Sequence, residues 1–304
     1  MIICASRRTD IPAFHSEWMM NRLRAGYALV RNPVCEETVY RVDLNPNGVG
    51  CIYFMTKNPE PMIRHLDEIE DLGHKAMFQI TVTPYGKEIE PGVPDKGKVA
   101  DSLKEVSEIL GKKRVVWRYD PVFFDGRHSM KYHERKFRLF CSEFSGYTER
   151  CIFGFLDVYS KFNRFGGPRF SVPSPMQRED FMRFAGSVAK EYGIKPTCCL
   201  SGGRPEYGIG GEPCIDGDTL RSLSIPYDGT PGRLRDGCGC IRNIDVGAYD
   251  TCMHDCVYCY ANSVSRKGRS LKEYDPKSEI LFGRVSEDTD TVPITDRRSR
   301  LGDF

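Results

Sequence analysis

Along the first two hundred positions, short apolar runs recur, each followed by a polar cluster and then by a stretch with helical spacing. The runs predict strands over residues 2–5, 38–42, 50–55, 75–82, 114–117, 150–156 and 196–200. Helical periodicity predicts helices over 15–26, 61–72, 98–110, 133–144 and 178–192, with Trp18, Met19 and Leu23 sharing a face of the first. Gly73 and Gly193 stop two of these helices. Strands alternating with helices imply parallel strands joined by helical crossovers. Near-continuous apolar strands such as 51–55 suit a sheet buried on both faces. Six or seven such units predict an α/β fold, a parallel (β/α) barrel or partial barrel of the TIM type.

After residue 200 the rhythm stops. Residues 201–236 are rich in Gly and Pro and read as loop. A last strand is expected over 241–246, a helix over 260–267, and a polar tail over 271–304 with one apolar patch at 280–282. The expected organisation is one domain: a barrel body over 1–200, a cysteine-rich loop segment over 201–262 packed on it, and a tail over 263–304.

Charge adds little, since 44 Lys and Arg against 42 Asp and Glu leave a net +2 in 304 residues. No global field favours nucleic acid or a membrane surface. No apolar run approaches the ~18 residues of a membrane span. The first residues lack a basic stretch leading into an apolar one, so a cytoplasmic protein is expected.

The thirteen cysteines change the picture. Cys4, Cys35, Cys51, Cys141 and Cys151 lie in or beside apolar runs and read as core. The other eight crowd into the last third. Cys252, Cys256 and Cys259 follow the spacing C-x₃-C-x₂-C. Three thiolates on one short loop can hold three corners of a cubane iron–sulfur cluster and leave one iron open. Zinc, with Cys238 and Cys240 completing a tetrahedral set, is the alternative. Cys198 or Cys199, with Cys214, Cys238 and Cys240, supply four thiolates for a second site, either an auxiliary cluster or zinc.

Polar groups follow the apolar runs: Arg7, Arg8 and Asp10; Lys57 and Asn58; Arg118 and Asp120; Asp157, Tyr159 and Lys161. In β/α barrels the active site forms at the C-terminal strand ends. Guanidinium forks suit carboxylate or phosphate, so a polar or anionic small-molecule substrate is expected. The same groups also suit an ion-pair network closing the barrel mouth. His254 and Asp255 lie inside the cysteine loop, and Gly210-Gly211-Glu212-Pro213 lies in the Gly-rich segment.

Cys252, Cys256, Tyr258 and Cys259 together resemble the radical SAM motif, and residues 250–262 are similar to the spore photoproduct lyase branch. Nearly the whole chain resembles an uncharacterised family, a domain of unknown function with this cluster at its C-terminus. That resemblance rests on residues 6–12 (Ser-Arg-Arg-Thr-Asp-Ile-Pro), 56–59 (Thr-Lys-Asn-Pro) and 117–121 (Trp-Arg-Tyr-Asp-Pro). Radical SAM resemblance implies a [4Fe-4S] cluster whose open iron chelates S-adenosylmethionine. One-electron reduction then gives methionine and a 5′-deoxyadenosyl radical that abstracts hydrogen from substrate. Tyr258 is expected near the adenine, with Arg8 and Asn58 also on the cofactor. Arg7, Asp10, Lys57, Arg118, Asp120, Asp157 and Tyr159 are expected around the substrate. An electron donor such as flavodoxin or ferredoxin is implied, and nucleic acid is the less favoured substrate. In the radical SAM superfamily the cysteine loop follows the first strand; here it follows six or seven. Two readings stay open: an iron–sulfur electron-transfer or redox-sensing protein that leaves S-adenosylmethionine intact, and a zinc-stabilised barrel enzyme.

Overall fold

The computed structural model describes residues 1–35, 37–157, 171–199, 202–232, 237–262, 273–285 and 291–293. In chain order the strands are β1 (Ile2–Ala5), β2 (Tyr27–Arg31), β3 (Val39–Asp43), β4 (Cys51–Thr56), β5 (Ala76–Thr81), β6 (Val115–Val122), β7 (Arg150–Phe155), β8 (Lys195–Cys198), β9 (Asn243–Asp245) and β10 (Thr291–Pro293). The helices are α1 (Ile11–Phe14), α2 (Ser16–Ala25), α3 (Glu60–Ile63), α4 (Leu66–Asp71), α5 (Lys96–Leu110), α6 (Met130–Phe144), α7 (Pro175–Glu191) and α8 (Gly217–Ser222).

The fold is α/β, built on a mostly parallel seven-stranded sheet in the order β8-β7-β6-β5-β4-β1-β9. The last strand of that order in the chain, β9, pairs in parallel with the first, β1. The chain divides into two compact units: Met1–Phe78 with Ile215–Met253 and Ala261–Phe304, and Gln79–Cys214 with His254–Tyr260.

In the first unit, β1 pairs in parallel with β4 and β9, and all four of its residues are buried. A smaller sheet of order β10-β3-β2 stands apart from the main one. The strand expected at 38–42 therefore belongs to this second sheet rather than to the barrel rhythm. It pairs antiparallel with β2, which follows α2 at once through Gly26. Gly26 has φ 76°, a left-handed turn that glycine adopts without strain, and its amide caps α2 at Arg22 O and Leu23 O. The apolar patch expected at 280–282 packs here, with Ile280 against Leu29 and Val39. The helix expected over 61–72 is divided into α3 and α4 by a turn at His65.

The second unit is held by an aromatic core. Trp117 and Tyr119 of β6, Phe137 and Phe144 of α6, Phe153 of β7 and Phe181 of α7 are all fully buried. Trp117 stacks on Phe137 at 5.1 Å, and its indole N–H donates to Val82 O at 3.0 Å. Burying each such ring contributes about 1.5–3 kcal/mol. The helices begin two or three residues earlier than their apolar periodicity, because polar caps set their starts. Asp95 accepts from Gly97 N, Ser129 from Tyr132 N, and Ser174 forms a capping box with Gln177. Strand β6 runs on to Val122, so Arg118 and Asp120 lie inside it rather than beyond its end. Among the described residues no helix is long and apolar enough to cross a membrane.

Candidate functional site

The three cysteines of the C-x₃-C-x₂-C loop are all partly exposed, whereas Cys4, Cys51, Cys141 and Cys151 are buried. Asp250 and Asp255 turn the loop backbone, with φ of 61° and 56°. In the first unit the Asp250 amide donates to Ala261 O at 2.9 Å, and Asn262 Nδ2 donates to Cys252 O at 2.9 Å.

The segment 254–260, in the second unit, is fastened to residues 89–92. The Val257 amide donates to Ile89 O at 3.0 Å, and the Gly92 amide to His254 O at 2.8 Å. His254 is 2 % exposed, with Nδ1 3.2 Å from Gly92 O, so it faces the protein interior and not solvent. Tyr258 is buried among Tyr85, Ile89, Phe123 and Leu156, and Cys256 packs against that group. The Tyr258 hydroxyl donates to Glu90, whose carboxylate also accepts from Thr83 Oγ1 at 2.8 Å and pairs with Lys96. Burial first, and then the Glu90 charge, push the Tyr258 phenol well above its usual value, so it stays a donor.

A second polar network joins β1 to β9. Ser6 Oγ donates to Asp245 Oδ1 at 2.6 Å and the Arg7 amide to Oδ2 at 2.8 Å. The Arg7 guanidinium donates to Asn243 and lies 3.8 Å from Asp245. Arg8 is buried, with its guanidinium 5.5 Å from the centre of the Tyr249 ring. Burial raises the Asp245 carboxyl, but the Arg7 and Arg8 charges and these hydrogen bonds outweigh it and hold the group below the usual range. Asp10 caps α1 by accepting from Ala13 N at 3.0 Å, and accepts from Lys57 N at 2.7 Å.

The third group lies on β6, β7 and β8. Arg118 and Asp120, two apart on β6, share a face and form an ion pair. Arg118 also approaches Cys214 Sγ at 3.3 Å, and Cys214 Sγ lies 3.8 Å from Cys199 Sγ. Gly154 on β7 leaves room for Asp120, since a Cβ there would meet the carboxyl at 3.0 Å. Next to this group the β6–β7 register shifts between Tyr119 and Val122.

Apart from Asn262, these three groups all fall within residues 2–261, and that stretch matches the model of a domain of unknown function, DUF1848. The chain belongs to the DUF1848 family. No curated protein matches it.

Within this DUF1848 chain, the residues expected to act on substrate are spread over separate networks. Arg7 and Asp10 lie in the β1 region, and Arg118 and Asp120 lie together on β6. Lys57 and Asn58 follow β4, where the Asn58 amide donates to Thr56 Oγ1 at 2.8 Å. Asp157 is exposed just beyond β7, and Tyr159 and Lys161 lie outside the described residues. Of the expected second metal set, Cys240 and Cys198 are buried and Cys238 is partly exposed. It is Cys199, not Cys198, that meets Cys214.

Among the described residues no three His, Cys, Asp or Glu side chains are gathered as metal ligands. The fit of Cys252, Cys256 and Cys259 to an iron–sulfur cluster is therefore one of donor chemistry and exposure: three partly exposed thiols within eight residues. Periodicity gave no hint of Glu90, Lys96, Asn243 or Asp245. Their signal is local: Glu90 just before Pro91-Gly92, and an Asn-Ile-Asp triplet in the mixed polar and apolar stretch 241–246.

Proposed function

We propose that this DUF1848 protein is a radical SAM-like iron–sulfur enzyme, with Cys252, Cys256 and Cys259 as cluster ligands. The observation that carries the reading is the C-x₃-C-x₂-C spacing with all three thiols partly exposed. When bound, a [4Fe-4S] cluster with one open iron supplies the electron that cleaves S-adenosylmethionine to methionine and a 5′-deoxyadenosyl radical. The chain's own share is to hold the loop and shield the chemistry from water. Tyr258 and the main-chain bonds to Ile89 and Gly92 fix the loop backbone on the Cys256 side. Cys256, partly exposed, has on one flank the buried group of Tyr85, Ile89, Phe123, Leu156 and Tyr258, which shields that side from water.

The proposed substrate class is a small polar or anionic molecule, a reading that rests on the Arg- and Lys-bearing polar clusters that follow the apolar runs. The body is a (β/α) sheet of barrel type, a reading supported by the parallel order in which β9 pairs beside β1. A flavodoxin- or ferredoxin-like protein is the electron donor class, and the cytoplasm is the proposed compartment.

The test is anaerobic reconstitution with iron and sulfide, followed by S-adenosylmethionine and dithionite. The reading predicts 5′-deoxyadenosine, absent from the Cys256→Ala variant. A loaded cluster that yields none with several reductants, and whose spectrum S-adenosylmethionine leaves unmoved, makes the protein an electron carrier or sensor instead.

A further inference from the structure

We propose that Cys199 and Cys214 form a redox-active dithiol that exchanges electrons with low-molecular-weight disulfides. The two sulfurs lie 3.8 Å apart, and a disulfide needs about 2 Å, a difference within reach of side-chain rotation.

Both backbones are already set. The Cys199 amide donates to Phe153 O at 2.8 Å, which anchors it where β8 leaves the sheet. The segment leading to Cys214 is laid beside β8 by a parallel bridge between Thr197 and Gly210. Its last two carbonyls before the cysteine, Glu212 O and Pro213 O, both accept from the Arg150 guanidinium. Lys195 pairs with the Glu212 carboxylate on the same segment. The dithiol is thus held by strand pairing and an arginine clamp.

The pair is also chemically asymmetric and accessible. Both cysteines are partly exposed, unlike Cys198 one residue earlier. Arg118, itself paired with Asp120, donates to Cys214 Sγ at 3.3 Å and so orients that sulfur. Cys214, the oriented sulfur, is the attacking one and Cys199 the resolving one. The Cys214 thiolate attacks one sulfur of a disulfide RSSR, giving a Cys214–SR mixed disulfide and expelling RS⁻, which takes up the proton Cys214 had released. The Cys199 thiol then attacks Cys214, loses its proton and expels the second RS⁻. The sum is a protein dithiol plus RSSR giving a protein disulfide plus two RSH, a two-electron oxidation of the protein.

This inference is independent of the iron–sulfur reading, and its test separates the two. The full-length protein and a variant with Cys252, Cys256 and Cys259 all changed to Ala are purified anaerobically and treated with glutathione disulfide. Remaining thiols are alkylated and mapped by mass spectrometry. Both proteins are expected to lose two hydrogens and to yield a Cys199–Cys214 cross-linked peptide. Cys199→Ser is expected to trap glutathione on Cys214. The proposal is overturned if Cys199 and Cys214 both stay open to alkylation at saturating disulfide. It is equally overturned if the pair holds zinc or iron that Cys199→Ser and Cys214→Ser release.

Discussion

Tyr258, the aromatic residue just before the last cysteine of the loop, donates its hydroxyl to the fully buried carboxylate of Glu90. The cysteine loop is thereby tied to a residue more than 160 positions earlier in the chain, in a segment with no motif of its own. Glu90 is a positioning residue: it holds Tyr258, and Tyr258 holds the backbone between Cys256 and Cys259.

Tyr258→Phe keeps the ring and removes the hydroxyl, and should cost about 1–2 kcal/mol in urea denaturation. Glu90→Ala removes the acceptor of Tyr258, Thr83 and Lys96 together, and should cost about 3–5 kcal/mol. Equal stability of Glu90→Ala and wild type would remove Glu90 from this role.

Acid should weaken the fold in two separate windows. Burial pushes both His15 and His133 down to about 4. Their folded values lie below the usual ~6.5 of the unfolded chain, so the unfolded state binds protons first. Stability is therefore whole above pH ~6.5 and falls as pH drops towards 4, by on the order of 3 kcal/mol for each histidine. His133 also sits 2.8 Å from the Tyr119 hydroxyl and 2.9 Å from Phe123 O. His133→Gln should lower stability at pH 7 and flatten the slope between pH 6.5 and 4, measured by urea titrations across that range. An unchanged slope would contradict the assignment.

Asp245 governs the lower window. Its folded value is depressed, so its contribution is present above the unfolded carboxylate range, near pH 4, and is lost as pH falls through the depressed folded value. Asp245→Asn should cost about 3 kcal/mol at pH 7, because Arg7 and Ser6 lose a buried charged partner. The penalty should shrink below pH 4. A penalty that persists unchanged at pH 3 would mean that hydrogen-bond geometry matters there and charge does not.

Gly154 tests the packing around Asp120. An added Cβ would lie 3.0 Å from the Asp120 carboxyl, so Gly154→Ala must push that side chain by a few tenths of an ångström against its Arg118 pairing and should cost about 1–3 kcal/mol. Gly126→Ala, where nothing lies within 4 Å, is the control and should stay within about 0.5 kcal/mol of wild type. Matching melting temperatures for the two variants would contradict the tight contact.

Periodicity revealed the main sheet because its strands are buried on both faces: β4 shows as a nearly continuous apolar run and β5 as one broken only at Gln79 before its last residues. It failed where elements are short or polar. Strand β2 is five residues directly after the glycine that ends α2, too close to the helix to register as a separate run. Helix α8 is six residues in a Gly- and Pro-rich stretch, and its one sign is Asp216 accepting from Thr219 N. Strand β6 extends past the apolar run at 114–117 because Arg118 and Asp120, which look like loop residues in the sequence, pair with each other inside the strand. The site divides the same way. Cysteine spacing exposes the loop, and groups Cys199 with Cys214, in one dimension, whereas Glu90 and Asp245 depend on pairings far apart in the chain.

Metal content tests most directly whether Cys252, Cys256 and Cys259 hold an iron–sulfur cluster. Protein purified and reconstituted anaerobically should carry about four irons and four sulfides per chain, lost when the three cysteines are changed to Ala. Stoichiometric zinc without iron, or iron retained in that triple variant, would contradict the account.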